Sequence, residues 1–124
     1  VDTSLCELAY FAVSVANDCP YCVASHGEKL VAHEGVPPAD VEGIVDGDLS
    51  SFDDRERTVI EFARQVATDP KRVDDAHVEA LREAGFDDPA IVRLLTVAAA
   101  AVAANAIADA LNVHPQDRAD PFEY

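Results

Sequence analysis

Tryptophan and methionine are absent from this chain, and aromatic residues make up only 6% of its 124 positions. With so few large rings, Ala and Val must supply much of any core, and slim Ala-rich helices pack closely. Lysine occurs twice, at Lys29 and Lys71, and all bases number 9 against 24 acids, a net charge of −15. Phosphate contacts need Lys and Arg, so a nucleic-acid interface is excluded, and an anionic membrane surface would repel the chain. The acids are spread along the whole sequence, which argues against a disordered acidic tail. Heavy Asp and Glu with almost no Lys instead suggests a halophilic protein, adapted to salt that screens its self-repulsion. Three cysteines is an odd count, which excludes a secreted disulfide framework.

No signal peptide stands at position 1, and a cytoplasmic protein is the expectation. The chain opens on Val1 with Leu5 already in a helical pattern, so further residues are expected before it. The apolar stretch from Ile91 to Ala108 is long enough to raise the question of a membrane span. It contains Arg93 and Asn105 and is mostly Ala, so it reads as a buried core or interface helix. No stretch alternates as a strand with hairpin turns, and there is no internal repeat.

What is present is helical periodicity, giving an all-α fold of about six helices in one domain over residues 1–124. Apolar residues recur at helical spacing over 3–16, through Leu5, Leu8, Ala9, Ala12, Val13 and Ala16. Asn17-Asp18 ends that run. Pro20 suits the first turn of a second helix, capped by Asp18 or Cys19 and running to about His33. A short helix covers Ala39 to Val45. A fourth opens on Asp53-Asp54-Arg55-Glu56, where acids suit the helix dipole, and stops at Asp69-Pro70. A fifth spans Asp74 to Ala84 with Gly85 as its stop. The last runs from about Asp88 to Leu111, followed by a polar tail from His114 to Tyr124.

Cys19-Pro20-Tyr21-Cys22 carries the chemistry, with His26 four residues on and Glu7 twelve residues before Cys19. On a helix, Cys19, Cys22 and His26 share one face, with His26 one turn from Cys22. The helix N-terminus favours a thiolate at Cys19, whereas the neighbouring imidazole favours one at Cys22. If the first two helices pack antiparallel, Glu7 returns close to His26, where it orients the imidazole and passes protons to it. Two thiols, a base and a carboxylate are what thiol–disulfide chemistry requires.

Zinc is the competing use of such a pair. A closed structural site takes about four ligands, and Cys19, Cys22 and His26 supply three. Cys6 or His33 would have to provide the fourth, and no second Cys or His pair exists, so no metal and no bound cofactor are expected. Cys6 reads as a small buried hydrophobe with an auxiliary redox role as the alternative. Tyr21 covers the disulfide, donates a hydrogen bond or packs at the surface. His33, His77 and His114 read as surface or helix-end residues.

The pattern Glu7-x11-Cys19-x-x-Cys22-x-x-x-His26 resembles the alkylhydroperoxidase D-like branch of the carboxymuconolactone decarboxylase superfamily. Residues 19–27 look like the signature of its peroxidase-related members. Arg55-Glu56-Arg57 with Ile60-Glu61-Phe62-Ala63, Leu81 to Phe86, and Asn105 to Leu111 are similar to its later helices. The resemblance covers about residues 5–112. It implies an all-α fold that assembles as dimers, trimers or hexamers, and a peroxidase reduced through its dithiol. By that analogy Cys22 attacks the hydroperoxide, Cys19 resolves, His26 is the base and Glu7 feeds the relay. A dihydrolipoyl or thioredoxin-like dithiol would reset the pair. The founding members place a His between the two cysteines, where this chain has Tyr21. The alternatives are an acid–base decarboxylase or lactone-type enzyme on the same fold, and a non-enzymatic redox sensor using the same disulfide.

Overall fold

The computed structural model describes residues 1–115. Six α-helices follow one another: α1 (Thr3–Ala16), α2 (Pro20–Ala32), α3 (Pro38–Asp46), α4 (Asp54–Thr68), α5 (Asp75–Glu83) and α6 (Asp88–Ala110). A 3-10 turn, Pro70–Arg72, links α4 to α5. Among the described residues there is no strand. The polar tail falls almost wholly outside them.

Helix α1 lies at the centre, against α2, α4 and α6. Leu5, Leu8, Ala9, Phe11, Ala12 and Val13 are all buried, which is the pattern of a helix enclosed by neighbours on most sides. Helix α4 adds Val59, Ile60, Phe62, Ala63 and Val66 to the same core. Truncating one of its buried rings, such as Phe11, should cost about 3–5 kcal/mol.

The helix ends follow local chemistry. Asp53, Asp74 and Asp87 each accept a backbone N–H at the start of α4, α5 and α6, each cap contributing about 1 kcal/mol. Helices α3 and α5 end on left-handed Gly47 and Gly85, where a side chain would be strained. Gly43 lets the α3 exit turn close, because a Cβ there would lie 2.5 Å from the Asp48 carbonyl oxygen.

Helix α6, read from the sequence as a buried core or interface helix, is buried along one side. It is long and apolar enough to cross a membrane by length and composition, but its buried residues form one stripe: Ile91, Leu94, Ala98, Ala101 and Asn105. Spacings of three and four put that stripe on one face. Val92, Leu95, Ile107 and Leu111 stand exposed on the rest of it. Periodicity did not mark that stripe, since Ala and Val recur all round the middle of the helix.

Candidate active site

The site forms where α1 meets the first turns of α2. The N–H of Asp18 donates to Val15 and that of Cys19 to Ser14, a paired closure of the α1 C-terminus that requires a left-handed residue between them. Asp18 is that residue, with φ of 52°. The chain leaves this turn extended at Cys19, which is at once the end of the α1 exit turn and the N-cap of α2. Its sulfur accepts the Cys22 N–H at 3.4 Å. Pro20 fills the first helical position, where no N–H is needed.

Cys19 and Cys22 are joined as a disulfide, their Cα atoms 5.3 Å apart. Cys19 is wholly buried and Cys22 is 5% exposed. The structure also brings Glu7 and His26 together, with His26 Nδ1 3.1 Å from Glu7 Oε2. Their side chains are 13% and 19% exposed, respectively, so the pair is largely shielded from water. A carboxylate on Nδ1 selects the tautomer protonated there and leaves Nε2 as the basic nitrogen. In this disulfide-bonded state His26 has no hydrogen bond to either sulfur among the described residues.

Two members of the site have little sequence signal. Lys29 Nζ donates to Glu7 Oε1 at 2.9 Å, so each carboxylate oxygen holds one partner. Lys29 lies one turn beyond His26, and a lone Lys on an amphipathic helix ordinarily reads as solvated. Burial pulls the Glu7 carboxyl upward, but the hydrogen bonds and charges of Lys29 and His26 outweigh it and hold the group below its ordinary value. The Tyr10 ring stacks on His26, with centroids 3.9 Å apart and planes 24° from parallel. Burial, then the Glu7 charge, raises the Tyr10 phenol above its usual range. The signal for Tyr10 was its place three residues after Glu7 on the same helix.

Tyr21 is half-buried on α2, and its side chain makes no hydrogen bond to a described residue. Cys6 is half-buried as a free thiol, a correction to its reading as a buried hydrophobe: the α1 core stripe runs through Leu5, Leu8 and Ala9 and leaves position 6 at its margin. His33 caps the end of α2, His77 completes the capping box of α5, and His114 is half-buried beyond α6. Among the described residues, no three His, Cys, Asp or Glu side chains gather as metal ligands. An open apolar groove of about 590 Å³ runs between α2 and α3 past Val23, Gly27 and Val31, on a face of α2 turned away from Cys22.

This fold is that of an alkylhydroperoxidase core. A peroxidase-related protein from Ralstonia eutropha JMP134, described as an alkylhydroperoxidase AhpD core, superposes with a TM-score of 0.86 at 30% identity. The match covers 94% of this chain and 62% of that one. A peroxidase-related protein from Silicibacter sp. TM1040 gives 0.83 at 27% identity, over 89% of this chain and 58% of its own. The chain thus spans about three fifths of each of these two relatives. An Agrobacterium tumefaciens protein, ATU0492, shares the fold at 22% identity, a TM-score of 0.79 and coverage of 93% and 80%. No curated protein matches the sequence.

The carboxymuconolactone decarboxylase family model matches residues 1–65, more than half the chain. The chain belongs to that family, and the matched part contains Glu7, Cys19, Cys22 and His26.

Proposed function

We propose that this protein is a thiol peroxidase that reduces hydroperoxides through Cys19 and Cys22. The observation that carries this reading is the shielded Glu7–His26 pair, 3.1 Å apart, one helical turn from a disulfide-forming Cys-x-x-Cys. In the reduced enzyme, Nε2 of His26 takes the Cys22 proton. The thiolate attacks the O–O bond, and the proton passes to the leaving alkoxide, giving a sulfenic acid and an alcohol. The Cys19 thiol then displaces hydroxide from that sulfur, forming the disulfide and releasing water. A dihydrolipoyl or thioredoxin-like dithiol restores both thiols by exchange and leaves as its own disulfide. Cys22 is the attacking residue because it retains the residual exposure of the pair and lies on the His26 turn. Lys29 keeps Glu7 anionic, so the carboxylate stabilises the imidazolium formed in the first step.

The test is consumption of hydrogen peroxide and cumene hydroperoxide in molar salt with a dihydrolipoyl donor. Both Cys22→Ser and Cys19→Ser should abolish turnover, and only Cys19→Ser should accumulate a sulfenic acid trappable by dimedone. A trapped species in Cys22→Ser would reverse the roles. The family's name favours one other reading, acid–base decarboxylase or lactone chemistry by Glu7 and His26 alone. That reading requires a protein lacking both cysteines to keep full activity.

The exposed face of α6 supports a homo-oligomeric assembly. Contact with a second copy would remove Val92, Leu95, Ile107 and Leu111 from water.

A further inference from the structure

His26 is seated in a corner of α1. Its edge meets Glu7, with Nδ1 3.1 Å from Oε2, and its face meets the Tyr10 ring, centroids 3.9 Å apart and planes 24° from parallel. Glu7 and Tyr10 stand three residues apart on one helix, so both project from the same side of α1. The hydrogen bond alone fixes one point of the imidazole and leaves its plane free to tilt; the stacked ring fixes the plane. Tyr10 is itself well supported. It packs against the core, and the hydroxyl of the fully buried Ser14 lies 3.1 Å from its carbonyl oxygen.

The stack is closer and flatter than two neutral rings prefer. Aromatic ring faces are negative, so neutral pairs slide off-centre or turn edge to face, with centroids about 4.5–7 Å apart. Centroids at 3.9 Å leave little room for an offset. An imidazolium reverses the preference, because a cation over a π-face is attracted to it. The His26 side chain is only 19% exposed, and such a contact strengthens as water is excluded. The Tyr10 hydroxyl stands differently. Burial, then the Glu7 charge, raises the phenol above its usual range, so it keeps its proton at neutral pH and is no second base beside His26.

We infer that Tyr10 is a positioning residue for the base, its ring face holding the imidazole against Glu7 and stabilising the imidazolium that forms when Nε2 of His26 takes the Cys22 proton. That transfer breaks the S–H bond, forms an N–H bond and leaves a thiolate and an imidazolium as a pair. Glu7 supports the positive ring at its edge and Tyr10 at its face, and Tyr10 does so without adding a charge. An interaction that is stronger after the proton moves than before it raises the rate of the step. The inference rests on the peroxidase reading above, in which His26 is the base.

The experiment mixes the pre-reduced full chain with hydrogen peroxide in molar salt and follows a single turnover. One peroxide is reduced to two waters as the thiols of Cys19 and Cys22 become a disulfide. Alkylation and intact mass at each time point separate protein with one reactive thiol, Cys6, from protein with three. Tyr10→Leu keeps apolar bulk and loses the π-face, and it should slow oxidation by about fivefold or more, the scale of a shielded cation–π contact. Tyr10→Phe should restore the rate to within about twofold of wild type. Placing one, two and then three fluorines on a Phe at position 10 withdraws charge from the ring face at nearly constant shape, and the rate should fall stepwise. A rate indifferent to fluorination overturns the inference, as does a Tyr10→Phe as slow as Tyr10→Leu. In a His26→Gln background Tyr10→Leu should change the rate by less than about twofold; an equal factor in both backgrounds marks core packing and overturns the inference. Should Tyr10→Leu not fold, the fluorinated series decides the question. Wild-type thiols oxidised no faster than those of free dithiothreitol overturn the peroxidase reading and this inference together. A fast wild type with Tyr10→Leu unchanged overturns this inference alone.

Discussion

Glu7 is held by a donor on each carboxylate oxygen, and its pH behaviour follows from that arrangement. Its folded value lies below the ordinary 4.5. The stabilisation it provides is therefore fully present above 4.5 and is lost as pH falls through the lower folded value. Replacing Lys29 by Met removes one cause of the depression, so the folded value rises and that stabilisation shrinks. The acid-unfolding midpoint of Lys29→Met, followed by circular dichroism, should lie at higher pH than wild type; an unchanged midpoint would mean that Lys29 is only solvated. In the proposed mechanism Glu7 stabilises the imidazolium, so Glu7→Gln should lower the rate of peroxide reduction by about 100-fold. A peroxide-dependent burst of normal rate in Glu7→Gln would remove Glu7 from the relay.

At the scale of elements, two turns make opposite predictions for small residues. Gly43→Ala drives a Cβ to 2.5 Å from a backbone oxygen, and backbone cannot yield as a flexible side chain does. The gain in helix propensity is smaller than the overlap cost, so a net loss of about 1–3 kcal/mol is expected in urea unfolding. Asp18→Gly relieves a left-handed non-glycine residue and should stabilise the disulfide form by up to about 1 kcal/mol, less the greater freedom of Gly in the unfolded chain. A lower unfolding midpoint for Asp18→Gly would show that the Asp18 side chain contributes more than its backbone costs.

For the whole molecule, the charge of −15 and the apolar outer face of α6 act against each other. Like charges oppose association, and salt removes that opposition over a Debye length of about 3 Å at 1 M. Assembly of the proposed oligomer should therefore strengthen between low and molar salt, measured by light scattering on a sizing column. Leu95→Glu together with Ile107→Glu, both at exposed positions, should leave the monomer folded and prevent assembly. A wild type that stays monomeric in molar salt would leave the α6 face without a second copy to cover it.

The helix boundaries were legible because they rest on local chemistry. Pro20 at a first turn, the acids that open α4 from Asp53, and Gly85 at an exit each act within a few residues of themselves. The spacing of Cys19, Cys22 and His26 on one helix was legible for the same reason, and the antiparallel turn at Asn17-Asp18 made Glu7 a neighbour of His26 foreseeable. Lys29 on Glu7, Tyr10 on His26 and Asn105 on Asn17 were not. Each has an unremarkable local pattern, and the Asn105 contact joins residues 88 positions apart. The sequence by itself determined the helices, their ends and the reactive set, since periodicity, capping and spacing are short-range properties of the chain. Only the tertiary structure decided which side chains lie against that set and which face of α6 is buried, because those depend on how α1, α2 and α6 pack.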